Sequence, residues 1–516
     1  MDTHTTLHKA ASISLLKDHE GETVLLQGWL HNSRSGKGLY FFEMRDGSGF
    51  CQCVIDQSNV SETVFETAGT VNNKISSSIK ITGKVVKDER QVGGYEIQVT
   101  DLEIVQLVED YPISNKAHGI EFLMNQRHLW LRSKKQWAVL RIRSRVKFTI
   151  HKFFQEKGFI QADSPIFTGN ACEGTTTLFE TEFYGETAYL SQSGQLYAEA
   201  TAMAMGKVYT FGPTFRAEKS KTRRHLSEFW MIEPEMAYYD LDMDMELIEE
   251  FLRYVVLDIY ENYRPELEIL ERDLKLFENI HKPFPKITYD DAIKILKGEL
   301  DVDGRNAIDV LKQDLEEVKV RKAECEKDIA EREALIAAGG MKKGKINFNK
   351  NKIDQLKNEI KQLEEKERNI PQWLDSAKNF THGEDLGGSD ETVITRLFDT
   401  PVMVYKWPKD IKAFYMKRDE EDDNYVKGVD CLAPEGFGEI VGGAEREDNL
   451  DLLIERIKHH DLPMEEFEWY CDLRRFGSVP HAGFGLGFER LIMWLTNVAH
   501  IRETIPFPRY YGRLLP

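Results

Sequence analysis

The stretch FGPTFRAEKSKTRRHLSEFWMIEPEMA, residues 211–237, sets Arg216 among apolar residues, follows it with a basic loop, and returns to an apolar run carrying glutamates. An unpaired guanidinium in apolar surroundings is costly, so Arg216 calls for an anion. The loop 219–225 adds Lys219, Lys221, Arg223, Arg224 and His225, side chains suited to a phosphate chain. Phe229 offers a face on which a purine can stack, and carboxylates nearby can hold a hard divalent cation. A second stretch, GFGLGFER at 483–490, alternates glycine with apolar residues. It reads as a strand whose backbone lies close to a ligand or a neighbouring element, with Arg490 at the start of the helix that follows. Between them, GEIVGGAER at 438–446 supplies Glu439 and Arg446.

These residues need a large scaffold, and the chain is long enough for one. It has 516 residues, 41% hydrophobic and 30% charged, with a formal net charge of −19. That balance fits a globular protein of two or more domains and argues against a general nucleic-acid coat, although a local basic surface remains compatible with it. The N-terminal stretch has no apolar signal-like core and no run approaches bilayer length, so no membrane partner is expected and the location is read as cytoplasmic. Six cysteines without a CxxC pair indicate neither a disulfide framework nor a zinc site; Cys51 and Cys53, two apart on one strand, read as packing residues.

Residues 22–107 hold five short β-rich runs separated by turn residues, which predicts a small five-stranded barrel of the OB type. Next, 134–156 reads as a helix with Trp137, Leu140, Val146, Ile150 and Phe154 as its apolar positions, ending at Gly158 before an extended run to Pro165. Eight Lys/Arg and no acid fall between Arg127 and Lys147; a solvated helix face, an RNA backbone and a dimer partner all fit that run. In 306–370, apolar residues at alternating steps of three and four (Ile308, Leu311, Leu315, Val318, Cys325, Ile329 and Ile336, interrupted by Lys322 and Arg332, then Ile353, Leu356, Ile360, Leu363 and Ile370, interrupted by Glu367) predict an antiparallel coiled-coil hairpin closed by Pro371. Its tip carries Lys342, Lys343 and Lys345, suited either to RNA contact or to a spacer. The expected class is α+β: an OB-fold domain at 1–112, a linker at 113–125, and a second domain at 126–516, interrupted by the coiled coil at 300–375.

Phe215–Glu218, the basic loop, Phe229 and Glu233 together resemble motif 2 of the class II aminoacyl-tRNA synthetases; GFGLGFER resembles their motif 3, and the helix leading to Pro165 their motif 1. The OB-fold ahead of them, GEIVGGAER and IRETIPFPR resemble the aspartyl/asparaginyl/lysyl subgroup, and 193–218 fits its asparaginyl members. The resemblance covers nearly the whole chain except the arm. It implies a catalytic domain built on an antiparallel sheet flanked by helices, a homodimer, and activation of L-asparagine by ATP with Mg²⁺, followed by transfer to tRNA(Asn).

By the same resemblance Arg216 bridges the α-phosphate and the attacking carboxylate, Phe229 and Arg490 sandwich adenine, and Glu218 accepts from its amino group. Arg224 or His225 reaches the γ-phosphate, and Asp430 and Glu439 hold Mg²⁺. Glu173, Gln195 and Glu233 are assigned to the α-amino group, Arg446 to the side-chain oxygen and Glu228 to the side-chain NH₂. Ala198 stands where the aspartate enzymes carry a lysine. On the barrel, Arg34, Phe41, Glu43 and Gln52 match anticodon-reading positions. The arm matches none of the site motifs, so activation is expected without it. Three readings compete with asparagine activation: an aspartyl enzyme, a paralogue that amidates aspartate with ammonia on the same core, and a catalytically idle RNA-binding or scaffold protein. The barrel argues against the ammonia-using paralogue, and intact Arg216, Glu439 and Arg490 against the idle one.

Overall fold

The computed structural model describes residues 10–91, 93–114, 118–169, 178–220 and 222–516. They fall into two compact units, Met1–His118 and Gly119–Pro516. In the first, β1 (Thr23–Gly36), β2 (Leu39–Arg45), β3 (Phe50–Asp56), β4 (Ser78–Lys87) and β5 (Tyr95–Gln106) close in the order β1-β2-β3-β5-β4. Helix α1 (Glu62–Val71) lies between β3 and β4 in the chain, capped by the Ser61 hydroxyl, which accepts from Val64 N. Period-two alternation decides the inside: Phe42 and Met44 of β2 and Cys51 and Cys53 of β3 are buried in the barrel core. Closure removes the strand edges that an open five-stranded sheet would expose. The predicted barrel is therefore the observed one.

The second unit is built on an eight-stranded sheet. Its strands are β6 (Ile160–Gln161), β10 (Lys207–Phe215), β11 (Glu228–Ala237), β12 (Lys286–Thr288), β13 (Val402–Pro408), β14 (Tyr425–Ala433), β15 (Gly438–Glu445) and β16 (His481–Gly487). The order is β12-β13-β14-β15-β16-β11-β10-β6, antiparallel from β13 to β10 and parallel at both edges. Strands β7 (Phe167–Thr168), β8 (Glu180–Phe183) and β9 (Glu186–Leu190) form a small sheet of their own. Helices α2 (Lys134–Glu156), α3 (Gln195–Met205) and α4 (Leu241–Asn262) precede the arm. α2 and α4 bury Val146, Ile150 and Phe251 in the core that contains Ile232, Met236 and Phe484 of the sheet.

The α2 helix ends as expected, with Gly158 at φ 76°. Half of its basic run is paired within the fold: Lys135 pairs with Glu503, Arg141 with Glu266, Arg143 with Glu489 and Arg145 with Asp258, all at 2.5–2.7 Å.

The arm consists of α5 (Ala307–Ala337) and α6 (Lys343–Asn379). Leu311, Val318 and Cys325 of α5 and Ile353, Leu356 and Ile370 of α6 are buried, and Arg321–Glu359 and Lys322–Glu367 pairs cross between the helices. Pro371 does not close it. α6 runs through the proline to Asn379, although proline gives up one helical hydrogen bond and crowds the carbonyl four residues back. Burial of Ile370 and Ala377 in a shared core holds the turns on either side, and tertiary packing outweighs the local penalty. Beyond the arm lie α7 (Gly388–Thr395), α8 (Met464–Arg475) and α9 (Phe488–Thr496). Among the described residues no helix is long and apolar enough to cross a membrane.

Candidate active site

Alternation along β11 places Phe229, Met231, Glu233 and Glu235 on one sheet face, while Ile232 and Met236 of the other face join the helical core. Glycines of β15 and β16 keep the floor beside this row open. A Cβ at Gly483 would lie 2.4 Å from the Glu235 carboxylate carbon, and one at Gly485 would lie 2.8 Å from Met231 Cε. Gly483 is thus required by the close approach of the β11 backbone, as the sequence suggested for this strand, whereas a side chain at Gly485 would meet only the flexible end of Met231.

At one end of the row is a pocket lined by Arg216, Glu218, Arg224, His225, Phe229, Glu439 and Arg490, together with apolar residues and the glycine floor. Every residue assigned to ATP from the sequence lines it. The Arg216 guanidinium lies 5.5 Å from the Phe229 ring centre, and its buried Nε has no hydrogen-bond partner among the described residues. Arg490 Nη1 donates to the Glu439 carbonyl at 2.9 Å and to Glu439 Oε2 at 3.0 Å. His225 shares a hydrogen bond with Thr222 and stands 3.5 Å from Glu218. Burial lowers its pKa below the ordinary imidazole value, which favours the neutral ring at neutral pH. Arg224 donates to Thr392 Oγ1 at 3.0 Å and to the Gly436 carbonyl, so here it is tied to α7 and the β14–β15 turn. Among the described lining residues there is no serine, threonine, cysteine or lysine, and hence no hydroxyl, thiol or amine nucleophile.

The acids form a tight group. Lys412 donates to Asp430 Oδ2 at 2.7 Å, while Asp430 Oδ1 and Glu439 Oε1 both face Gly442, at 3.7 and 3.2 Å from where a Cβ would sit. Burial raises the Asp430 carboxyl to about 6 against the pull of Lys412. Burial opposes ionisation of Glu439 as well, but Arg490 and Lys412 outweigh it and hold that carboxyl below its ordinary value. Glu391 of α7 accepts from Glu439 N at 3.1 Å; burial and the nearby Glu439 charge push it up to about 7.

At the other end of the row, Arg446 is buried and forks onto Glu235, Nη2 to Oε1 at 2.5 Å and Nε to Oε2 at 3.3 Å. Burial raises the Glu235 carboxyl, and the guanidinium on both its oxygens opposes that rise. Behind this pair Glu199 accepts from Tyr470 Oη, Arg474 and Gln195 Nε2 and stands 3.0 Å from His481 Nε2. Ala198 is fully buried against Ala202 and Val208. Glu233 accepts from Ser193 Oγ, Gly194 N and Thr210 Oγ1.

Glu228 is not where its assigned role needs it. It begins β11, bridges to Arg509 and lies seven residues from Glu235, roughly 23 Å along the strand and on the opposite face. The acid beside Arg446 is Glu235, which the sequence reading passed over. The available signal was parity: Glu235 shares a strand face with Phe229 and Glu233, whereas Glu228 does not. Lys412 and Glu391 were also missed, because nothing local in sequence ties them to the motifs. Glu173 lies outside the described residues.

The arm is not separate from this site. Glu365 of α6 pairs with Arg223 of the basic loop, Asp314 of α5 pairs with Arg396, and Ser376 of α6 donates to Asp390 of α7 at 2.9 Å. α7 carries Glu391 and Thr392, so the base of the arm helps hold the groups that engage Glu439 and Arg224. A deletion of 306–370 removes two of these three contacts, so the arm is not independent of the surroundings of the site.

On the barrel, Arg34, Phe41, Glu43 and Gln52 line one outward-facing cleft. Arg34 donates to Gln52 Oε1 at 2.7 Å and lies 5.1 Å from the Phe41 ring centre, and Gln52 Nε2 donates to Glu96 at 3.0 Å. Phe41 is half-buried on the face opposite the buried Phe42, which leaves its ring available for stacking.

Residues 119–511 match the family of class II tRNA synthetases (D, K and N), and residues 24–105 match the OB-fold nucleic acid binding domain. The chain is 46% identical over 502 residues to an asparagine–tRNA ligase of Sorangium cellulosum, covering 97% of this chain and 98% of that one. It is also 46% identical over 509 residues to one of Symbiobacterium thermophilum, covering 98% and 100%. Among solved structures, the Pyrococcus horikoshii asparaginyl-tRNA synthetase complexed with asparaginyl-adenylate superposes with a TM-score of 0.79 at 35% identity, covering 98% of this chain and 100% of that one.

Proposed function

The chain belongs to the class II tRNA synthetases of the D, K and N group, and from that premise we propose that it is an asparagine–tRNA ligase. It joins L-asparagine to ATP, forming asparaginyl-adenylate and pyrophosphate, then passes the asparaginyl group to tRNA(Asn) with release of AMP. The observation that carries this reading is one strand face leading from Arg216, Phe229, Glu439 and Arg490 to a buried Arg446–Glu235 pair. Relatives bearing the same activity along the whole chain support it.

The chemistry suits a pocket whose described lining has no hydroxyl, thiol or amine nucleophile. An oxygen of the asparagine carboxylate attacks the α-phosphorus, and the bond to the bridging oxygen of the leaving pyrophosphate breaks; no proton needs to move in this step. Arg216 spans the α-phosphate and the incoming carboxylate and neutralises the charge that builds between them. Arg490 and Phe229 flank adenine, while Glu218 accepts from its amino group. Arg224 and His225 reach the terminal phosphate by exchanging their present partners for it. In transfer, the terminal ribose hydroxyl of the tRNA attacks the adenylate carbonyl carbon and AMP leaves. Asp430 and Glu439, converging on the space that Gly442 leaves open, would hold Mg²⁺, with waters and phosphates completing its shell. Bound there, the ion would neutralise phosphate charge. Arg446 donates to the side-chain oxygen of asparagine, and Glu235 accepts from its NH₂. Gln195 and Glu233 take the α-amino group, the role that the resemblance also gives to Glu173.

Pyrophosphate exchange with asparagine and aspartate side by side tests the assignment. Asparagine is expected to support exchange and aspartate far less; equal exchange, or aspartate alone, defeats it. On the barrel, Phe41 stacks an anticodon base and Gln52 pairs with one. Phe41→Ala is expected to weaken tRNA charging by roughly 1–3 kcal/mol in tRNA recognition while leaving exchange unchanged. Equal losses in both assays would assign Phe41 to folding instead.

The enzyme works as a homodimer through α2 and the segment around Pro165. Exposed Phe148, Ile160 and Phe167, 47–56% accessible in the single chain, support such a surface. Sedimentation at micromolar concentration should therefore give twice the 59.7 kDa chain mass. A single-chain species alone would refute it.

A further inference from the structure

Along the shaft of the arm, acids are interspersed with the basic side chains and pair with several of them. Lys319 pairs with Glu316 at 2.7 Å, Arg321 with Glu359 at 2.8 Å, Lys322 with Glu367 at 3.0 Å and Lys357 with Glu333 at 3.5 Å. The pattern stops at the tip. Residues 338–352, AGGMKKGKINFNKNK, hold five lysines and no acid in a chain of net charge −19. Lys342, Lys345, Lys350 and Lys352 make no ion pair within 4 Å among the described residues. Phe348 is 67% exposed and lies within one helical turn of Lys345 and Lys352, so cations flank an open ring on one face of α6. The tip also opens a helix of 37 residues, whose dipole adds positive potential there.

A solvated spacer has no need of this contrast, because alternating charges would keep the tip soluble just as they do the shaft. Unpaired cations around an exposed aromatic ring suit a nucleic acid, with phosphates meeting the lysines and a base meeting the ring. The 31 residues of α5 span about 46 Å, so the partner must extend on that scale from the base of the arm. We infer that the tip of the inserted hairpin is a second tRNA contact, with Lys342, Lys345, Lys350 and Lys352 on backbone phosphates and Phe348 against a base. This rests on the reading of the chain as a tRNA ligase.

The test uses the full chain with four lysines exchanged, K342Q/K345Q/K350Q/K352Q, and separately Phe348→Ala. Both keep the base of the arm, with Glu365, Asp314 and Ser376, intact. Exchange with asparagine should match the parent protein, which also reports that the fold has survived. In charging assays the fourfold variant should raise the KM for tRNA(Asn) roughly tenfold at low salt, and its KM should climb less steeply with salt than the parent's. Phe348→Ala should raise that KM without changing the salt slope. An unchanged KM and salt slope in the fourfold variant would overturn the inference, leaving the arm tip without an RNA role. Failure of the parent protein to charge tRNA(Asn) at all would instead overturn the ligase reading.

Discussion

Replacing Arg216 by alanine is expected to lower asparagine-dependent pyrophosphate exchange by roughly 10²–10³-fold, about 2.7–4 kcal/mol of transition-state stabilisation, with little change in thermal stability. The two halves of this result come from one observation. The guanidinium stands over Phe229 in the pocket, and its buried Nε donates to no described residue. A buried donor without an acceptor contributes nothing to folding and carries a desolvation cost, so removing it should leave the melting temperature unchanged or slightly raised. Its value appears only when phosphate and carboxylate oxygens converge on it. Arg216→Lys should recover little of the rate, since a point charge cannot span two oxyanions as a planar fork does. Exchange kinetics and a melting curve on the same preparation decide it. A loss of rate matched by a fall in melting temperature would make Arg216 a structural residue.

The second large effect concerns the choice of amino acid. Asparagine and aspartate have nearly the same shape, so the pocket must separate them by donors, acceptors and charge. The sequence reading placed that discrimination on Glu228, but the structure puts Glu235 on Arg446. Glu235→Gln keeps the side-chain size while giving up the charge. It should reduce exchange with asparagine by roughly 10–100-fold, about 1.4–2.7 kcal/mol, the range for a hydrogen bond to a charged group. Aspartate should fall less or rise, because its carboxylate would no longer face a second one beside Arg446. Glu228→Gln should change neither amino acid appreciably. Equal losses for both amino acids in the Glu235 variant would assign the pair to folding alone. A selective loss in the Glu228 variant would restore the original reading.

Much of the site was legible because its chemistry is local in sequence. Arg216, Glu218, Arg224, His225 and Phe229 fall within 14 positions, and Arg490 directly follows the glycine strand. A basic loop between two strands keeps its residues close along the chain, so type and spacing suffice to find them. The arm was legible for the same reason, since its apolar period states its own structure. Its end was not. Pro371 is a helix breaker by local rules, and only the core around Ile370 and Ala377 carries α6 through it.

The sequence by itself therefore determined the barrel, the coiled coil and which residues gather in the pocket beside Phe229, because alternation, heptad spacing and short motifs are properties of neighbouring positions. The tertiary structure alone decided three pairings. Glu235 meets Arg446 across 211 residues, Lys412 reaches Asp430 from outside any motif, and Glu365 of the arm meets Arg223 of the basic loop. Each joins segments brought together only by strand order or by the docking of a helix. The partner of a buried charge is fixed by which strand face it occupies and what lies opposite, and one position's shift along a strand reverses that face. That is why one glutamate of β11 reads the substrate in this assignment while another, seven positions away, cannot reach it.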